Sequence, residues 1–366
     1  MCTIGDIIRD LEAVVPKSLQ ESYDNCGLQI GDPLQKVTGI LLAIDVTEKV
    51  IAEAIKNKAN LIITHHPLLF KGLKRISTNS YIERCVQLAI RHDIAIYSAH
   101  TNLDNCYGGV NYFFATKLGL QNSRVIEPLP QQVYKVATYV PVANAHDIRK
   151  ALLSANAGSA GHYQGCSFSV AGEGRFIPTQ NASPYVGEAN QWHTEPEVMI
   201  STMANGTQLP GVCQAIQAVH PYEEPVIDVH LIKQEDTQYG AGIIGDLQQP
   251  MSLKEFLNKL KEILPIQVIC HSQPLTDQIQ RVAYCGGSGA FLRTKAAQLG
   301  ADIFMTGEAK YNDFYDAVDD VTLCTIGHYE SEKLTEELIY NLLSRKKRNF
   351  DIRISQVCDN PISYIS

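Results

Sequence analysis

Asn60-Leu-Ile-Ile-Thr-His-His-Pro67 is a short apolar run that ends in two adjacent histidines and a proline. A continuous apolar run of this length reads as a strand buried on both faces, as in a parallel sheet covered by helices. Pro67 ends the strand and stiffens the turn beyond it. Upstream, Gly39-Ile-Leu-Leu-Ala-Ile-Asp45 has the same character. Thr47 then stands as N-cap to a helix at 48–58, with Ile51, Ala54 and Ile55 on one face. A helix at 81–91 and a strand at 94–98 follow. Repeated strand–helix–strand units predict an α/β fold with largely parallel sheets.

The last third repeats this grammar. Ser252-Leu-Lys-Glu255 is a capping box, and Leu253, Phe256, Leu257, Leu260 and Leu264 mark one face of the helix behind it. Strands fit 281–285, 302–305 and 322–326, and a long helix fits 330–344. The middle differs: strand (135–140), helix (145–155), strand (166–171), a long loop, strand (197–203), helix (210–218), strand (226–232). That βαββαβ order predicts a ferredoxin-like α+β insert. The chain therefore divides into a two-part α/β core, residues 1–130 and 239–366, interrupted by an insert at 134–233. The flanks 121–132 and 234–242 are polar and read as linkers.

The chain has 366 residues and a net charge of 31 − 39 = −8, with pI near 5.8 and a mean hydropathy of −0.10. A charge of that sign argues against a general polyanion binder and makes nucleic acid an improbable partner. No apolar stretch approaches the roughly 20 residues that span a bilayer, and the first thirty residues carry acids without a long apolar segment, so no membrane role and no signal peptide are expected and the chain reads as cytoplasmic. Ten cysteines without a CxxC pair read as free thiols rather than a zinc ribbon or a disulfide framework.

In an open α/β sheet, ligands bind at the carboxyl ends of strands. His65 and His66 follow one strand, and Ser98-Ala-His100-Thr-Asn-Leu-Asp104 ends the next. Gly327-His328-Tyr-Glu-Ser-Glu332 ends the last and places His328 and Glu332 four apart on one helix face. Adjacent histidines in an extended chain point to opposite sides, which suits two neighbouring ions better than one. Imidazole and carboxylate suit zinc, iron or manganese, and carboxylates can bridge a two-ion site. The bland alternative is a polar rim around a sheet. By position alone, His100 or Glu308 would move protons. Gly286-Gly-Ser-Gly289 reads either as a phosphate cradle or as a tight turn beside the site. The basic run Arg345-Lys-Lys-Arg348 ends the final helix and complements its dipole.

These residues also carry a resemblance. Tyr23-Asp-Asn-Cys-Gly-Leu-Gln-Ile-Gly31, Ile63-Thr-His-His-Pro-Leu-Leu-Phe70, His100-Thr-Asn-Leu-Asp104, Tyr284-Cys-Gly-Gly-Ser-Gly-Ala290, Thr306-Gly-Glu-Ala-Lys-Tyr311 and Gly327-His-Tyr-Glu-Ser-Glu332 resemble, in order, the Nif-three-like family of GTP cyclohydrolase 1 type 2 homologs. The resemblance implies a toroidal homohexamer with two divalent metal ions per subunit. The ligands would be His65, His66, Asp104, His328 and Glu332, with His100 an extra ligand or a partner behind the ligands. Asn312 stands where the family commonly has histidine, which would leave proton transfer to another group such as Glu308 or Tyr311. In the insert, Gly158-Ser-Ala-Gly-His-Tyr163, Cys166-Ser-Phe168, Gly172-Glu-Gly-Arg-Phe176 and His220-Pro-Tyr-Glu-Glu-Pro225 resemble the PII-like, CutA-like domain of longer bacterial members. His220, Glu223 and Glu224 would bind a metal or, the better reading, shape a proline turn, and His162 and Tyr163 read as packing or loop residues.

Two functions follow. One is a metal-dependent hydrolase of nucleotide-like or phosphate-bearing substrates. The alternative is a metal-binding regulatory or metal-delivery protein whose insert senses a small-molecule effector or a partner.

Overall fold

The computed structural model describes residues 2–129, 133–159, 163–206, 208–232, 238–357 and 360–365. The chain separates into two compact units, residues 1–129 with 237–366 and residues 130–236. The first strands are β1 (Gly27–Ile30), β2 (Gly39–Ala43), β3 (Leu61–Thr64), β4 (Ala95–Ser98) and β5 (Gln121–Pro128). The second unit holds β6 (Val133–Pro141), β7 (Ser167–Phe176), β8 (His193–Asn205) and β9 (Ile227–Ile232). The chain then returns with β10 (Gly240–Met251), β11 (Cys270–His271), β12 (Ile279–Cys285), β13 (Ile303–Thr306), β14 (Thr322–Thr325) and β15 (Asp351–Ile354).

The first unit is α/β with two sheets. The five-stranded sheet has the order β1-β4-β3-β2-β15. Its apolar runs are buried on both faces. Ile40, Leu42, Leu61 and Ile63 pack beneath the helices Ile4–Glu12 and Leu334–Ser344. Leu41, Ala43 and Ile62 pack beneath Glu48–Lys56 and Tyr81–Arg91. Successive side chains thus go to opposite layers, as the strand period of two requires. Thr47 caps the helix Glu48–Lys56 by accepting from the Val50 N–H, and the Ser252/Glu255 capping box starts Leu253–Ile263.

The six-stranded sheet has the order β11-β14-β13-β12-β10-β5. Here the expectation of largely parallel sheets needs correction. β12, β13 and β14 are parallel, but β10, β5 and β11 join antiparallel. The flanks read as linkers are strand in part: 121–128 form β5 and 240–242 begin β10, which pair from Pro128↔Gly240 to Gln121↔Asp246, while 130–132 and 234–237 lie outside the described residues. β5 is an edge strand with mostly exposed side chains, so its polarity imitates a linker. The helix expected at 330–344 is two, His328–Glu332 and Leu334–Ser344.

The second unit runs β6, helix Ala145–Ser154, β7, β8, helix Leu209–Val219, β9. Its four strands lie antiparallel in the order β7-β8-β6-β9. Val136, Val140, Ile200 and Ala204 meet Ile148, Leu152, Val212 and Ile216 of the two helices in one core. The loop expected between the strands at 166–171 and 197–203 is shorter than expected, since β7 reaches Phe176 and β8 starts at His193. His162 and Cys358 lie outside the described residues. Among those described, five cysteines are buried thiols outside any disulfide, and no helix is long and apolar enough to cross a membrane.

Two polar contacts hold the first unit together. Asn111, 2 % exposed, accepts from the Gly286 N–H and donates to the Asp104 carbonyl. Replacing Asn111 by alanine strands both backbone groups, and urea unfolding should show a loss of about 1–3 kcal/mol. Asp10, on the first helix, pairs with Lys346 at 2.6 Å and Arg348 at 3.0 Å, which absorbs two residues of the basic run. The hydrogen bond from Lys346 leads in holding the Asp10 carboxyl below its ordinary value, ahead of the opposing effect of partial burial. A carboxyl lowered in this way stabilises the fold above its unfolded pKa near 4, and the contribution fades as pH falls through the folded value. Asp10→Asn should therefore cost up to about 1 kcal/mol at pH 7, and the difference from the parent chain should shrink as pH falls below the unfolded value near 4 in unfolding curves.

Candidate metal centre

Three strand ends build the site. β3 stops at Thr64, and His65 and His66 follow in a bend, their N–H groups donating to the carbonyls of Ala43 and Ile44. β4 stops at Ser98, and His100 precedes the short helix Thr101–Asp104. β14 stops at Thr325, and Gly327, at φ +93°, opens His328–Glu332. A Cβ on Gly327 would sit 2.1 Å from the Glu330 carboxylate, so this turn into the helix requires glycine.

The structure brings His65, His66, His100, Asp104, His328 and Glu332 together. The ring centroids of His65 and His66 lie 5.1 Å apart at 45°. The two rings thus share one space rather than pointing to opposite sides, because the extended geometry ends at Thr64. One ligand atom from each of His65, His66 and His100 falls within a 4.8 Å cluster, as does one from each of His66, His328 and Glu332. Glu332 lies between them, with Oε1 3.5 Å from His65 Nε2 and Oε2 2.9 Å from His66 Nε2 and 3.2 Å from His328 Nε2. Asp104 Oδ1 is 3.8 Å from His65 Nε2.

Each imidazole is held from behind by Nδ1. His65 Nδ1 meets the Ala99 carbonyl at 3.0 Å, His66 Nδ1 meets Asp45 at 2.9 Å, and His100 Nδ1 meets Asp24 at 2.9 Å. His328 Nδ1 lies 3.2 Å from Glu308. Acceptors on Nδ1 fix the tautomer and leave Nε2 as the free lone pair, the arrangement found behind metal-ligating histidines. His65 Nε2 and Glu332 Oε2 are buried and make no hydrogen bond of acceptable geometry. These buried, orphaned atoms are what a cation would satisfy, so the donor set fits a divalent ion.

Charge behaves accordingly. Burial pushes the Glu332 carboxyl upward, but His65, His328 and His66 outweigh it and hold the acid well below its usual range. Burial lowers His66, yet Asp45 and Glu332 raise it to about 10. Burial dominates at Asp104 and raises it. Positive charge at this cluster offsets the buried acids, a task that a divalent cation would take over.

Glu308 is more exposed than expected of a base. It braces His328 and accepts from Ser288 Oγ at 3.0 Å. Tyr311 is engaged with Tyr315 through their hydroxyls at 3.2 Å, and Asn312 is exposed. The Gly286–Gly289 run is a tight turn: the N–H groups of Gly286, Gly287 and Gly289 donate to Asn111, Ser331 and Thr306. A Cβ on Gly287, at φ +60°, would meet Glu332 Oε1 at 2.4 Å.

Sequence reasoning missed Asp24 and Asp45. The Asp24 side chain is shielded from solvent; against that burial, hydrogen bonds from His100, Thr101 and Cys26 hold its carboxyl well below the usual range. Asp45 ends an apolar run in the same way that His65 does, so the strand-end argument applied to β2 finds it. Asp24 precedes a strand with no apolar signature, and its one signal is the stretch 23–31 that carries the family resemblance. In the second unit, both ring nitrogens of His220 hydrogen-bond the backbone, at Tyr139 and Tyr222, which fits the proline-turn reading.

The family described as Duf34/NIF3 (NGG1p interacting factor 3) matches residues 2–361. Proteins named GTP cyclohydrolase 1 type 2 homolog from Staphylococcus epidermidis and Staphylococcus aureus are each 37 % identical, over 99 % of this chain and 99 % and 100 % of theirs. A crystal structure of a Bacillus cereus protein related to NIF3 superposes with a TM-score of 0.89 at 36 % identity, covering 100 % of this chain and 99 % of that one. A Staphylococcus aureus structure gives 0.76 at 35 % identity with the same coverage. With the family matched over almost its whole length and a relative of known structure sharing its fold, the chain belongs to the DUF34/NIF3 family.

Proposed function

We propose that the chain is a divalent-metal protein with a dinuclear site and that it hydrolyses a nucleotide-like or phosphate-bearing substrate. The observation that carries this reading is the clustering of four imidazoles, each tethered at Nδ1, with three of them against the buried Glu332. His65, His66, Asp104, His328 and Glu332 would hold the ions, with His100 beside them as an extra ligand or a proton carrier. Zinc, iron and manganese all suit this donor set. Ions bound there would supply Lewis acidity and a water that ionises near neutral pH.

The remaining work falls to the protein. A cavity of about 690 Å³ opens beside His328 and is lined by Ser288, Phe291, Glu308, Lys310 and Tyr364. Lys310 supplies a cation for a phosphate, and Phe291 and Tyr364 offer ring faces to a base. Glu308, at the cavity edge, holds His328 in place and stands ready to take a proton. The name of the relatives, GTP cyclohydrolase 1 type 2 homolog, agrees with a nucleotide-like ligand. Self-association into a ring of six belongs to the same proposal through the family resemblance. The βαββαβ order and the strand order β7-β8-β6-β9 support a ferredoxin-like, PII-like insert. An insert with its own core and cavity also favours the second reading, a regulatory or metal-delivery role.

Metal analysis of protein purified without chelator or added metal should give about two ions per chain, falling in His65→Ala. Hydrolysis of a nucleotide and phosphoester panel should fall with it. A metal-free wild type would sink the proposal. Bound metal without turnover on any of these substrates would favour the regulatory reading. Asp45→Asn keeps the shape of the second layer but weakens its hold on His66, and metal titration should show affinity reduced by about 10–100-fold.

A further inference from the structure

The second unit contains a cavity of about 500 Å³, of a size that suits a small molecule. Phe176, Tyr185 and Tyr222 form one part of its wall. The Tyr222 ring lies 6.1 Å from Phe176 at 63° and 6.3 Å from Tyr185 at 54°, so the three rings surround a space rather than stack. Four carboxylates line the same cavity, at Glu173, Glu197, Glu223 and Glu224. The cation in the wall, Arg175, has its guanidinium 4.4 Å over the Trp192 ring.

Glu197 decides the chemistry. It is 7 % exposed. Its Oε1 accepts from the Tyr222 hydroxyl at 2.6 Å, while Oε2 has no hydrogen-bond or ion-pair partner among the described residues. A Cβ on Gly174 would sit 2.3 Å from that oxygen, so glycine in Gly172-Glu-Gly-Arg-Phe176 makes the room the carboxylate occupies. Glu223 accepts from the Ser183 N–H and ties the long segment between β7 and β8 to the cavity edge. No group of three metal-ligating side chains forms here among the described residues, which disfavours a bare metal ion. The negative wall disfavours an anion, and a neutral ligand would leave Glu197 uncompensated.

We propose that this cavity binds a small organic cation, an alkylammonium or quaternary ammonium compound, with its charge against Glu197 and its apolar groups against Phe176, Tyr185 and Tyr222. Carboxylate and aromatic faces together are the chemistry that selects such ions over water and metals. This inference stands apart from the metal centre, because it rests on residues of the second unit alone.

Calorimetry on the full chain with excess chelator tests it, using choline, putrescine and 3,3-dimethylbutan-1-ol, the uncharged carbon isostere of choline. Choline or putrescine should bind at least about tenfold more tightly than the isostere, and Glu197→Gln should remove about tenfold or more of that affinity. Tyr185→Ala changes an exposed ring and should also weaken the cation, which decides the matter if Glu197→Gln does not fold. His65→Ala should bind the cation as the parent does. No cation binding at millimolar concentration, equal binding of the isostere, or affinity unchanged in the wall variants would overturn the proposal. So would loss of binding in His65→Ala.

Discussion

A carboxylate that is almost wholly buried must be matched by positive charge, and Glu332 sets that requirement at the meeting of two sheets. Three imidazole nitrogens lie within 3.5 Å of its oxygens. Each is aimed by a partner on a different element: Ala99, Asp45 and Glu308. Glycines at 287 and 327 let backbone approach the acids where a side chain would collide. The parallel strands, the bends after them and the glycine turns can therefore be understood as ways of satisfying one electrostatic condition.

The clustered histidines were legible in the sequence because the strands that carry them are buried on both faces. Such strands announce themselves as unbroken apolar runs, and their ends fall where chemistry collects. Asp24 is marked only by the stretch 23–31 of the family resemblance, and Asn111 has no comparable signal. Their roles arise from contacts with His100 and Gly286, 76 and 175 residues away in the chain. Only the fold supplies such partners. Glu308 stands out by its place in the sequence, and the fold adds a contact the sequence does not announce, 3.2 Å from His328 Nδ1.

Edge strands hid for a different reason. β5, with one side of the strand facing water, keeps only Val125 and Ile126 buried, so composition alone resembles a linker. Within the second unit, β7 is exposed along nearly its whole length; its first half reads as strand, but Gly172 and Gly174 make the second half read as loop. Pairing to β8 through ten consecutive residues holds it in the sheet without a core of its own. Hydrogen bonding between backbones leaves no imprint on the pattern of apolar residues, which is why strand ends at the core were easier to read than strands at the rim.

The antiparallel pairing of β5 and β10 fixes how the chain leaves and re-enters the first unit. Pro128 and Gly240 are register partners, so departure and return occur at one point of one ladder. The entropy of bringing those two ends together is supplied by the ladder itself, whatever is strung between them. Residues 130–236 therefore occupy the position of a greatly enlarged hairpin loop. A two-residue turn in their place would leave a plain β-hairpin, and domains of quite different size could be exchanged at this site as interchangeable cassettes.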